Sequence, residues 1–102
     1  FRATLEEVAQ ADIILHVVDP VHPNCQEHID TVYDILTELD AVDKPLITVL
    51  NKMDMVRDER LFHHYMEQLP ETVKVSALNR KGFGALLAKI QSVLSENRVQ
   101  PV

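Results

Sequence analysis

Two short apolar runs constrain this chain more than any other feature. Asp12-Ile-Ile-Leu-His-Val-Val-Asp19 is apolar almost without interruption. That pattern predicts a strand buried on both faces, as in a parallel sheet. Leu46-Ile-Thr-Val-Leu50 predicts a second strand, and Thr72-Val-Lys-Val-Ser76 a third, shorter one. The segments around them have the other period. Phe1, Leu5 and Val8 recur at helical spacing. Ile29, Val32, Leu36 and Leu39 make one face of a second helix, and Leu61, Phe62, Tyr65, Met66 and Leu69 one side of a third. Phe83, Leu86, Leu87, Ile90, Val93 and Leu94 form the stripe of a fourth. Helix and strand alternate throughout, so the fold class is α/β: three parallel strands joined by helical crossovers, with flanking helices.

The punctuation agrees. Pro20 and Pro23 break the first strand, and Asn24 with Glu27 three residues later resembles a capping box. Lys44-Pro45 closes the connection into the second strand, Asp58 is placed to cap the third helix, and Pro70 stops it. Gly82 and Gly84 punctuate the entry to the last helix, and the tail Arg98 to Val102 is expected to fray. No repeat or interdomain linker divides residues 1–102, which fit one small domain. The helical pattern is already running at Phe1, so the chain is expected to be cut inside a helix of a longer parent.

Charge and cysteine count remove some classes of function. A net charge of −6 without a basic cluster argues against a domain that wraps nucleic-acid backbone by electrostatics alone. Docking on a large ribonucleoprotein through a few residues or another domain is compatible with it. Cys25 is the single cysteine, which rules out an internal disulfide framework and fits a reducing, cytoplasmic location. No apolar run approaches the length needed to span a membrane.

Parallel sheets of this kind bind ligands at the carboxyl ends of their strands. Three positions therefore matter: Asp19, the turn Asn51-Lys52-Met53-Asp54, and Ser76 to Asn79. Asp54 is the informative one. Guanine presents its N1–H and its exocyclic amine side by side, and an ionised carboxylate can accept both. Adenine offers neither at those positions. The Asn51 amide can reach a purine N7 and tie neighbouring loops together. The Lys52 stem can lie over the purine face while its ammonium stays wet. At Ser76-Ala77-Leu78 a backbone N–H, that of Ala77 first, can donate to guanine O6. Nothing in this set touches phosphate.

Asn51-Lys52-Met53-Asp54 resembles the NKxD element of GTP-binding domains, and Ser76-Ala77-Leu78 resembles their SAx element after the next strand. The opening FRATLEEVAQADIILHVVD resembles the HflX group of ribosome-associated GTPases, and the resemblance covers nearly the whole chain. It implies the C-terminal half of a P-loop GTPase domain. Asn51, Lys52, Asp54, Ser76, Ala77 and Leu78 would then meet the base of GTP or GDP, in a parent that hydrolyses GTP to GDP and phosphate with Mg²⁺ on the large ribosomal subunit. The phosphate half is not in this sequence. A P-loop needs G-x-x-x-x-G-K-[ST], whereas the glycines here are Gly82 and Gly84, with Lys81 ahead of them. No D-x-x-G exists either, because the residues three before the glycines are Asn79 and Lys81. The Mg²⁺ ligands and switches would belong to the N-terminal half. The chain alone is expected to hydrolyse no GTP and to supply neither catalytic residues nor metal ligands.

Blander readings stand beside these. Asn51 and Asp54 suit a solvated turn, Ser76 a local backbone bond, and Asp19 a loop brace. His22, Cys25 and His28 have a spacing that invites zinc, but a structural site usually wants four ligands and no fourth lies near. His63 and His64 fit partly solvated packing. Two other classes compete for the whole chain. A receiver-like phosphoacceptor would use Asp19, Ser76 and Lys52, but it lacks the acidic pair of a first strand. A non-catalytic interaction module would keep the fold without the pocket. Guanine preference, phosphorylation of Asp19 by a small phosphodonor, or neither, separates the three. In a G-domain arrangement the strand 13–18 would also leave an unpaired edge, which predicts self-association through it.

Overall fold

The computed structural model describes residues 2–98, with side chains from 6 to 96. Phe1, the Leu5 side chain and the tail 99–102 lie outside the described residues. Four α-helices and three strands alternate as expected: α1 Arg2–Gln10, β1 Ile14–Val18, α2 Cys25–Glu38, β2 Leu46–Leu50, α3 Arg60–Gln68, β3 Thr72–Lys74 and α4 Phe83–Arg98. The strands are parallel in the order β1-β2-β3. Ile14 aligns with Leu46 and Val18 with Leu50, while Thr48 aligns with Thr72. β3 is shorter than the expected Thr72–Ser76. Val75 still donates its N–H to Leu50 O at 2.8 Å, but Ser76 turns away to pair with Lys81.

Right-handed crossovers between successive parallel neighbours put α2 and α3 on one face of the sheet. There Val18 and Leu50 pack with Cys25 and Ile29 of α2, and with Phe62, Tyr65 and Leu69 around α3. Burial, and then Cys25, push the Tyr65 phenol up to about 12. On the other face Val93 of α4 closes over Ile47, Val49, Val73 and Val75. The stripes are less completely buried than their periodicity implies, since Met66, Phe83 and Leu87 are exposed.

β1 is not buried on both faces as the apolar run predicts. Ile14, His16 and Val18 face α2, whereas Leu15 is 42 % and Val17 60 % exposed on the opposite face. The core there is built on β2 and β3, and α4 covers those strands. The capping box also fails. The Asn24 side chain makes no cap bond, and its N–H instead donates to His22 Nδ1 at 3.0 Å. Asp58 does turn the chain into α3, its Oδ1 accepting the Arg60 N–H at 3.0 Å. Lys44 has a role that periodicity could not show. Its ammonium donates to Ala9 O at 2.6 Å and Ala11 O at 2.7 Å, satisfying carbonyls that the end of α1 leaves without helical partners.

Candidate functional site

The carboxyl ends of β2 and β3 bring the two expected motifs together. Asn51 continues β2, donating its N–H to Val18 O at 2.9 Å. Lys52 then adopts the left-handed conformation, φ 64° and ψ 36°, and a single 3₁₀ turn, Met53–Met55, follows. A non-glycine residue is disfavoured there, so the turn must be held from outside. Met53 N–H donates to Val75 O at 3.1 Å, and Met55 N–H closes the turn on Lys52 O at 2.9 Å.

The loop after β3 is equally tight. Ser76 and Lys81 exchange both backbone hydrogen bonds at 3.0 Å, with Arg80 and Gly82 at positive φ. A Cβ on Gly82 would collide with Lys74 O and come within 2.9 Å of Val75 Cα. Only glycine allows this approach, and Gly82 O then accepts from Leu86 N–H as α4 begins.

Side chains link the two loops. Ser76, 3 % exposed, donates its hydroxyl to Asp54 Oδ1 at 2.7 Å and accepts the Asn79 N–H at 3.2 Å. The local backbone bond weighed for Ser76 thus exists alongside a bond to Asp54. Asp54 itself is exposed. Its Oδ2 and the remaining lone pairs of Oδ1 give it further acceptor capacity. Asn51 Oδ1 accepts the Ala77 N–H at 3.1 Å. The N–H expected to be free for guanine O6 is therefore engaged within the protein. Leu78 projects an apolar side chain that is 82 % exposed beside this cluster.

Asp19 stands at the end of β1, where Oδ1 accepts Val21 N–H at 3.1 Å and Oδ2 meets Lys52 Nζ at 2.9 Å. It is a brace, as weighed. The Lys52 hydrogen bond first, and the Val21 N–H with it, hold its carboxyl below the usual range. The histidine–cysteine spacing does not converge. Cys25 is buried in the core, and the His22 and His28 rings lie tilted at 38° to each other with centroids 5.0 Å apart. Among the described residues no three His, Cys, Asp or Glu side chains are placed to hold a metal ion, and no helix is long and apolar enough to cross a membrane. Asn51, Asp54, Ser76 and Ala77 are thus joined in one network, with Lys52 and Leu78 at its rim. Sequence reasoning missed Gly82 as the residue that permits the second loop, and its position six residues after Ser76 carried no signal of that close approach.

No protein-family model matches the chain. Curated proteins do. It is 38 % identical over 94 residues to the GTPase HflX of Treponema denticola, a match covering 92 % of this chain and 24 % of that protein. It is 33 % identical to the GTPase HflX of Flavobacterium psychrophilum, over 94 % of this chain and 28 % of the relative. With the GTPase HflX of Escherichia coli it shares 38 % identity, over 93 % of this chain and 22 % of the relative. The chain spans about a quarter of the length of these curated relatives.

Proposed function

We infer, for a chain that is a segment of an HflX-type GTPase, that its part in the nucleotide site is to read the guanine base. One observation carries the reading: the Ser76 hydroxyl holds an exposed Asp54 carboxylate at 2.7 Å, beside an Asn51 amide whose oxygen is fixed by Ala77 N–H. A carboxylate so oriented can accept the guanine N1–H and N2–H together. With Oδ1 committed, the Asn51 amide has its NH₂ left to donate to N7. Guanine O6 would share the Ala77 N–H in a three-centre bond or draw it from Asn51. The Lys52 stem and Leu78 would cover the faces of the ring.

The rest of the reaction is proposed for the whole protein. Residues 1–102 would be the C-terminal part of its G domain. A P-loop, switches and Mg²⁺ site outside this chain would hold the phosphates and hydrolyse GTP to GDP and phosphate, since positioning and charge stabilisation at the phosphates supply nearly all the rate in this chemistry. Action on the large ribosomal subunit in the cytoplasm is what the resemblance implies for that protein. A receiver-like phosphoacceptor would need an acidic pair on a first strand, which this sequence does not supply, and a module that leaves the pocket unused would show no guanine preference.

Titration of the full-length protein with labelled GDP, ADP and XDP tests the base reading. Guanine should be preferred over adenine. Asp54→Asn should lose about 2–4 kcal/mol of guanine affinity and gain relative affinity for xanthine, whose C2 carbonyl needs a donor. Equal GDP affinity in wild type and variant would overturn it.

A further inference from the structure

One tether on the 51–54 turn is not used by the base reading. Four bonds from neighbouring segments hold the turn: Asn51 N–H to Val18 O, Met53 N–H to Val75 O, Ala77 N–H to Asn51 Oδ1, and the Ser76 hydroxyl to the Asp54 carboxylate. The fifth is the ion pair in which Lys52 Nζ donates to Asp19 Oδ2, 33 residues apart in sequence. It grips the residue whose backbone is in the least favourable conformation, at φ 64°. Lys52 is thereby fixed at both ends: its Cα by the left-handed turn, its ammonium by Asp19. The stem between them remains half exposed. A free lysine stem would have rotamer freedom to lose when a ring settled on it, and a stem already held loses less.

We propose that Asp19 is a positioning residue of the base site: by holding the Lys52 ammonium it fixes the lysine stem as a wall for the purine face, without touching the base itself. This rests on the base-reading role of the 51–54 turn. Asp19 is split between two duties, with Oδ1 on the Val21 N–H and Oδ2 on Lys52, so substitutions can separate them. Asp19→Asn keeps the volume and an oxygen acceptor for Val21 and removes the charge. Asp19→Ala removes both.

In the full-length protein, Asp19→Asn should weaken GDP binding about two- to fivefold, the scale of one solvent-exposed ion pair. The ratio of GDP to XDP affinity, which Asp54 sets, should not move. On a Lys52→Met background, which keeps a stem but no ammonium, Asp19→Asn should have no further effect. Wild-type affinity in Asp19→Asn beside a weak Asp19→Ala would show a turn brace only and overturn the proposal. So would losses from Asp19→Asn and Lys52→Met that multiply as independent changes. If the wild type shows no guanine preference, it is the base reading that fails. The hold on Lys52 is then judged by hydrogen exchange at the Met53 and Met55 amides. Exchange about two- to fivefold faster in Asp19→Asn supports the hold, and unchanged exchange overturns it.

Discussion

β1 and β2 are five-residue parallel strands, aligned residue for residue from Ile14↔Leu46 to Val18↔Leu50. Both are apolar runs with one polar interruption, and the interruptions are register partners, His16 and Thr48. Their environments are nonetheless opposite. β2 has a strand on either side and helices over both faces, so Ile47 to Leu50 are all buried. β1 has a strand on one side, and its Leu15–Val17 face is open. An apolar run specifies a strand; its place in the sheet decides how much of that apolar surface leaves water. The loops of the candidate site follow β2 and its neighbour β3. The turn carrying Asn51 and Asp54 leaves β2, and it is tied to the loop after β3, while β1 contributes the outlying brace Asp19.

The largest test of this contrast is a pair of truncations. Leu50, fully buried among Val18, Cys25, Ile29 and Phe62, should cost about 3–5 kcal/mol as Leu50→Ala, through lost transfer energy and the cavity left behind. Val17→Ala, on the open face, should change stability by less than about 0.5 kcal/mol. Urea unfolding of both variants measures the gap. Equal losses would mean that β1 is as enclosed as β2.

The polar partners give a smaller, pH-dependent difference. Among the described residues His16 Nδ1 is buried without a hydrogen-bond partner, and burial first, then the charge of His28, holds its pKa below the ordinary 6.5. The unfolded chain therefore takes up a proton at His16 at higher pH than the folded one. The stability linked to this group is fully present above pH 6.5 and is lost as pH falls from there through the lower folded value. His16→Leu should flatten that part of the profile and remove the cost of an unpaired nitrogen. The check is the urea midpoint followed from pH 7.5 downward in both proteins. An unchanged slope in the variant would assign the loss to other groups.

What was legible in the sequence follows the same division. The alternation of elements and the meeting of Asn51, Asp54 and Ser76 could be read because each depends on local pattern or on the rule that parallel strands present their carboxyl ends together. The open face of β1 could not, because periodicity records which residues are apolar and not what covers them. That Asn51 ties neighbouring loops could be read, but not that it does so through the Ala77 N–H, which depends on the distance between two loops 26 residues apart. Lys44 gave no signal either. Its two carbonyl acceptors at the end of α1 lie 35 and 33 residues away. Asn24 failed in the other direction: its spacing to Glu27 matched a cap, but His22 Nδ1 took the Asn24 N–H.

The smallest effect on stability is expected at the open edge itself, where the readout is association. Among the described residues β1 pairs with β2 alone, so its outer side offers backbone N–H and C=O groups to another chain. Leu15 and Val17, exposed beside that row, add apolar surface to the template. Two copies of the 102-residue chain are expected to pair along this strand, whereas the full-length protein, in which a preceding strand would occupy the edge, should not. Leu15→Lys places a charge on the edge at little cost to a side chain already 42 % exposed, about 0.5 kcal/mol or less, and two such lysines would meet in the pair. Light scattering across a concentration series should show the chain shifting from monomer to dimer, and Leu15→Lys holding it as monomer at the same concentrations. The variant's circular dichroism must match the parent's for the comparison to count. A chain that stays monomeric at high concentration, with freely exchanging β1 amides, would show that an open apolar face and an unpaired edge are not enough to recruit a second copy.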